Sequence, residues 1–157
     1  MIRPDTLVDA VDQFLAAPPR EACLLLVSPD PARLGRAAGD LAARYGWPVW
    51  RVGETLSAAL LDVAPRDRPA AAARWFRDAA DARASGPVLL VDVALLFEPA
   101  LALNPLGLLR EAARRTALVV AWPGAVAGDR LTYAVPEHAH YRAWPASDLC
   151  PTCIISL

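Results

Sequence analysis

The sequence contains no lysine; all 16 basic residues are arginine. That excludes chemistry needing a lysine amine: Schiff bases, a lysine general base, and the lysine that grips nucleotide phosphates in an active phosphate loop. Cysteine is scarce, limited to Cys23, Cys150 and Cys153. An odd, low count behind an N-terminus without an apolar run (Met1-Ile2-Arg3-Pro4-Asp5) predicts a reducing, cytoplasmic setting rather than secretion. A dominant charge sign is missing too. The formal net charge of -1 gives no broad field for nucleic acid or anionic lipid. No run reaches the ~20 apolar residues of a membrane span. The longest, Pro87 to Phe97, is broken by Asp92.

What is present is a chain of 157 residues, 55% hydrophobic and 21% charged. That length suits one domain of ~100–200 residues with its own core. The excess of Ala, Leu and Val carries no functional weight. Apolar runs alternate with helical periodicities. Thr6 to Ala17 reads as a helix, with Thr6 and Asp9 at capping-box spacing and Pro18-Pro19 ending it. Ala22 to Ser28 reads as a buried strand, and a helix follows at once on Leu34, Ala37, Ala38, Leu41 and Tyr45, closed by Gly46.

Pro48 to Val52 reads as a second strand, Glu54 to Val63 as a short helix and Ala70 to Arg83 as a longer one. Pro87 to Val93 is the clearest strand. Asn104-Pro105 opens a helix to about Arg115, Thr116 to Ala121 is another strand, and Leu131 to Ala134 a short fifth. The tail from Pro145 is expected to be irregular. This alternation predicts a single α/β domain, a three-layer sandwich around a mainly parallel sheet, of the P-loop NTPase type. Ligands of such sheets bind beyond the strand C-terminal ends. That edge should carry Ser28 to Pro31, Asp92, and Trp122 to Gly124.

Strand, short loop, helix near the N-terminus is where a nucleotide-binding α/β protein places its phosphate loop, and a later strand ending in Asp is where it places its magnesium carboxylate. The candidate nucleotide residues are therefore Ser28, Asp30, Arg33, Gly35, Arg36 and Asp92, with Asp92 as the metal candidate and ATP with magnesium as the cofactor. The loop argues against catalysis, and no catalytic residue is assigned. An active loop reads G-x-x-x-x-G-K-S/T. Here only Gly35-Arg36-Ala37 matches its end, without the lysine or the hydroxyl. Pro29 and Pro31 each remove a backbone donor. Asp30 followed by Pro31 is a helix N-cap and first-residue signal, and its carboxylate would take the helix end a phosphate would use. Arg33 and Arg36 read more simply as solvated helix arginines than as lysine substitutes. Asp92 is either a cation ligand or the acceptor of a following turn.

Other constellations are weaker. His138 and His140 with Cys150 and Cys153 invite zinc, but His-x-His is poor ligand spacing, and incidental tail cysteines are the simpler reading. Arg66 and Arg68 could form a lid over a kinase site. Arg110, Arg114 and Arg115 could touch DNA, or simply balance a helix C-terminus. Among five tryptophans, Trp50 and Trp75 read as core; others could face a partner.

The stretch Val88-Leu89-Leu90-Val91-Asp92-Val93-Ala94-Leu95-Leu96-Phe97-Glu98-Pro99 resembles the Walker B region of the small P-loop family BrxF of type 3 BREX phage-defence systems. Asn104 to Leu109, Ala121-Trp122, Leu131 to Ala134, Pro136 to His138 and Tyr141-Arg142 resemble further parts of that family. The C-terminal half carries the resemblance; the N-terminal half matches in layout only. Aligned on Leu95-Leu96-Phe97, the family's usual Asp falls on Val91 and its following acid on Ala94, which puts Asp92 beside the expected ligand. The resemblance implies a cytoplasmic defence component acting with a large ATPase, a DNA methyltransferase, a phosphatase-like protein and a helicase, and meeting DNA only through them. With a degenerate Walker A loop, it implies a non-hydrolysing adaptor; a small ATPase or nucleotide kinase with an atypical loop is the alternative.

Overall fold

A computed structural model describes residues 4–83 and 85–157. Five parallel strands form the spine of the sheet. In chain order the strands are β1 (Cys23–Ser28), β2 (Val49–Arg51), β3 (Val88–Val91), β4 (Leu118–Ala127), β5 (Arg130–Tyr133), β6 (Arg142–Pro145) and β7 (Ile154–Ser156). The spatial order is β2-β3-β4-β1-β7, and β4 runs on beyond the sheet to pair antiparallel with β5, which pairs with β6. The register of β1 on β4 runs from Cys23 opposite Leu118 to Ser28 opposite Pro123.

The helices are α1 (Pro4–Ala16), α2 (Pro31–Tyr45), α3 (Val52–Leu60), α4 (Arg68–Asp81) and α5 (Pro105–Ala112). Successive residues of a strand point to opposite faces, and here each face meets its own helical layer. Leu24 and Leu26 of β1, with Leu89 and Val119, pack under α1 and α2. Cys23, Leu25 and Val27, with Leu90 and Val120, pack under α3, α4 and α5. The three-layer α/β architecture with a mainly parallel sheet is the one the sequence predicts.

α2 shows why sequence and element agree. Asp30 caps it, Pro31 takes the first helical position, and Gly46 closes it in the left-handed region at φ 68°. Leu34, Ala37, Ala38 and Leu41 form its buried stripe. Asn104 caps α5 in the same way, its side chain accepting from the Gly107 N–H at 3.2 Å.

Several expectations need correction. The tail from Pro145 is not irregular: the 3-10 turns Ala146–Asp148 and Pro151–Cys153 lead into Ile154–Ser156, which pairs parallel with Leu25–Val27. Period-2 alternation is invisible in three residues, so only long-range pairing reveals β7. Thr6 is not an N-cap, because α1 already includes Pro4. α5 ends at Ala112 instead of near Arg115, its last carbonyls turning into tighter bonds such as Arg115 N–H to Ala112 O at 3.1 Å. β4 continues to Ala127, six residues past Ala121, because the hairpin prolongs it beyond the sheet.

Candidate functional site

At the C-terminal edge, β1 leads into α2 on one face of the sheet, whereas β4 runs on into the β5–β6 hairpin, which packs on the other face. Ligands of open α/β sheets usually sit in a crevice at this edge. A cleft of about 250 Å³ lies there, walled by the first half of α2 (Pro31, Leu34, Gly35), the end of β3 (Val91, Asp92) and Pro123.

The loop between β1 and α2 is only Pro29-Asp30. Ser28 is buried, 1% exposed, and its hydroxyl oxygen accepts from the Asp30 N–H at 3.1 Å. The Asp30 carboxylate accepts from the N–H groups of Ala32 (2.9 Å) and Arg33 (3.4 Å). Those are the free donors at the helix start, the groups that would otherwise meet an anion. Pro29 and Pro31 have none to offer. The residues do not fit a triphosphate: the donors are satisfied by the protein, and an acid stands where negative charge would arrive.

The two arginines diverge. Arg33 donates from Nη1 to the Leu157 carbonyl at 3.3 Å, tying α2 to the end of β7. Arg36 is exposed, as is Gly35. Asp92 lies just past β3 in a left-handed conformation, φ 55°. Its carbonyl accepts from the Gly53 N–H at 2.7 Å at the start of α3. Asp92 is the one acid lining the cleft, whose other walls are apolar or backbone. A magnesium ion bound to protein normally draws on one or two carboxylates and on phosphates as well. A single carboxylate without a phosphate cradle makes a poor site.

The structure brings Ser28, Asp30 and Arg33 together at one loop, and Gly35 and Asp92 at the adjoining cleft. Of the third expected segment, only Pro123 lines that cleft. Trp122 is fully buried beneath the hairpin, its Nε1 donating to the Thr132 carbonyl at 2.8 Å. None of the five tryptophans is freely exposed: Trp50 and Trp122 are core, while Trp47, Trp75 and Trp144 are half-buried.

The arginines of the DNA reading are ion-paired. Arg110 and Arg114 share Glu21 at 2.7 and 2.9 Å, and Arg115 meets Asp81 at 2.6 Å. Arg68 donates to the Val63 carbonyl at 3.0 Å, fixing the turn before α4, and Arg66 is exposed. No group of three or more metal-ligating side chains occurs among the described residues. His140 and the Cys150/Cys153 pair line different clefts, and those two cysteines are bonded to each other.

Two clefts escaped sequence reasoning. One holds Glu98, His140, Tyr141 and Arg142, with His140 Nδ1 at 3.9 Å from the Glu98 carboxylate and Arg142 donating to the Leu103 carbonyl. The other gathers the cysteines. In both, the partners are far apart in sequence, and no spacing rule joins them. No family model, no curated protein and no solved structure matches the chain. The class that fold and site define is thus a three-layer α/β protein with a mainly parallel sheet and a self-capped loop at its ligand edge. No helix among the described residues is long and apolar enough to cross a membrane.

Proposed function

We propose that this chain is a P-loop NTPase-like protein with a degenerate nucleotide site, and that it works as a non-hydrolysing adaptor or regulatory subunit of a BREX-type phage-defence assembly in the cytoplasm. The observation that carries the loss of hydrolysis is the Asp30 cap on Ala32 and Arg33, set in a loop of two residues. No lysine exists anywhere in the chain to neutralise a phosphate.

The defence assignment rests on the sequence resemblance, and one packing relation supports it. The resembling segments meet in space. Phe97 stacks on Tyr133 with ring centroids 3.8 Å apart and meets Trp122 edge-on at 5.0 Å. Arg142 donates to the carbonyl of Leu103, the residue just before the Asn104–Leu109 segment, at 2.9 Å. The resembling segments therefore pack together around the hairpin, and their Val91, Asp92, Ala94 and Ala121 also line the cleft beside the divergent loop. Its partners in this reading are the large ATPase, the methyltransferase, the phosphatase-like protein and the helicase of the system, with DNA contacted through them.

Calorimetric titration with ATP and magnesium, paired with a phosphate-release assay, tests the reading. The expected result is no turnover and no binding tighter than millimolar. Tight binding with turnover would replace the adaptor with a small ATPase or nucleotide kinase. Co-expression with the four partners should give a stable complex with at least one of them; failure with all four removes the defence assignment.

A further inference from the structure

All three cysteines of the chain meet at the sheet edge opposite the cleft just described. Cys23 opens β1, while Cys150 and Cys153 bracket the single 3-10 turn that delivers the chain into β7. The three line one surface cleft of about 270 Å³, with Arg20, Glu21 and Arg110 beside them. Cys150 and Cys153 are joined as a disulfide across a separation of three residues; Cys23 is a free thiol.

This bridge is a poor staple. Disulfide stabilisation grows with the length of chain enclosed, because the gain comes mainly from constraining the unfolded state. A loop of two intervening residues constrains very little, and the bridge connects no two distant elements. The two cysteines are unequal in exposure, which suits exchange chemistry instead. Cys150 is half-buried on the cleft wall, whereas Cys153 is buried at 3% exposure. Exchange needs one sulfur open to attack and a partner that leaves. Cations next to a cysteine favour its thiolate. The cleft supplies Arg20 and Arg110, although Arg110 is paired with Glu21 and Asp148 also lines the wall.

We propose that Cys150–Cys153 is a dithiol–disulfide exchange site whose co-reactant is a dithiol reductant, and that its redox state latches or releases β7. A donor thiolate attacks Cys150 Sγ. The Cys150–Cys153 bond breaks, and Cys153 leaves as a thiolate and takes up a proton. The donor is now joined to Cys150 as a mixed disulfide. Its second thiolate attacks the donor's own sulfur in that bond, releasing Cys150, which is protonated in turn. The chain gains two electrons and two protons, and the donor becomes a disulfide. Cys23 stands aside: burial pushes its thiol up to about 12, and it remains protonated.

The release follows from position. Immediately after Cys153, the edge strand Ile154–Ser156 pairs with Leu25–Val27, and the Leu157 N–H donates to the Val27 carbonyl at 2.9 Å. Opening the bridge frees the turn that aims this strand. The inference is independent of any nucleotide or defence role.

The test uses the full chain, with dithiothreitol and oxidised glutathione as probes and N-ethylmaleimide as the label read by mass spectrometry. The oxidised protein should take no label under native conditions. After dithiothreitol it should take two labels, at Cys150 and Cys153, and a third at Cys23 only in guanidinium. Cys153→Ser should accept one glutathione, at Cys150, and Cys150→Ser should accept glutathione at least tenfold more slowly. Amide hydrogen exchange at 154–157 should rise severalfold on reduction. Three thiols that stay free under oxidised glutathione overturn the proposal, as does one equivalent of zinc released on thiol modification. Equal glutathionylation of the two variants overturns Cys150 as the attacked sulfur, and unchanged exchange at 154–157 overturns the latch.

Discussion

Gly53 and Asp92 are in tighter contact than any other residue would permit at position 53. The Gly53 N–H donates to the Asp92 carbonyl at 2.7 Å, and a β-carbon on Gly53 would stand 2.5 Å from the Asp92 carboxylate oxygen. Gly53→Ala sets two effects against each other. Alanine favours the helical backbone by about 1 kcal/mol. Overpacking against a fixed neighbour costs about 1–3 kcal/mol. The neighbour here includes the Asp92 backbone, itself held at φ 55°, so it cannot swing aside as a flexible side chain would. The clash should win, with a net loss of up to about 2 kcal/mol in urea unfolding. Combining it with Asp92→Gly, which removes the carboxylate and suits the left-handed backbone, should recover part of that loss.

The Asp30 cap makes a graded prediction. Asp30→Ala should cost about 1 kcal/mol and Asp30→Gly only a few tenths, because glycine lets solvent and backbone satisfy the freed donors. Neither change should create phosphate binding, since Pro29 and Pro31 still present no N–H. Urea midpoints check the first statement, and calorimetry with pyrophosphate checks the second. A binding signal in both variants would mean that the carboxylate is the sole obstacle.

The aromatic cluster under the hairpin should be a stability centre. Phe97 is buried, stacked on Tyr133 and edge-on to Trp122 and Trp144. Phe97→Ala should cost about 3–5 kcal/mol, the range for a large aromatic removed from a packed core. The hairpin should loosen first, seen as faster amide exchange across 124–133 than in β1. Equal exchange in both regions would mean that the hairpin and sheet open as one unit.

Much of the fold was legible because local and global signals coincide. Asp30-Pro31 and Asn104-Pro105 announce their helices, and both caps form. The six buried residues of Cys23–Ser28 read as a central strand because both faces are covered. The self-capped loop was legible for the same reason, since cap chemistry is local. What escaped depends on residues remote in sequence. β7 has three residues and no periodicity, and only its pairing with Leu25–Val27 makes it a strand. The Cys150–Cys153 pair was visible as a spacing, but Cys23 joins it only through the β1–β7 pairing. Arg33 looked like a solvated arginine; its bond to the Leu157 carbonyl spans 124 residues of chain.

Glu21 gives a prediction with a definite sign in pH. Hydrogen bonds from Arg114 and then Arg110 hold its carboxyl below the ordinary glutamate value, against a smaller opposing effect of burial. An unfolded glutamate titrates near about 4.3. A carboxyl lowered in the folded state contributes its stability above that value and loses it as pH falls toward the folded one. At pH 7 Glu21→Gln should therefore be less stable than the native chain, by about 1 kcal/mol for a partly exposed ion pair. Below pH 4.3 the two urea midpoints should converge as the native Glu21 takes up its proton. Because Glu21 ties α5 to the start of β1, the same variant at pH 7 should take label at Cys23 at a lower guanidinium concentration than the native chain. A gap between midpoints that is constant from pH 7 to pH 3 would show that Glu21 acts by packing, with its charge contributing nothing.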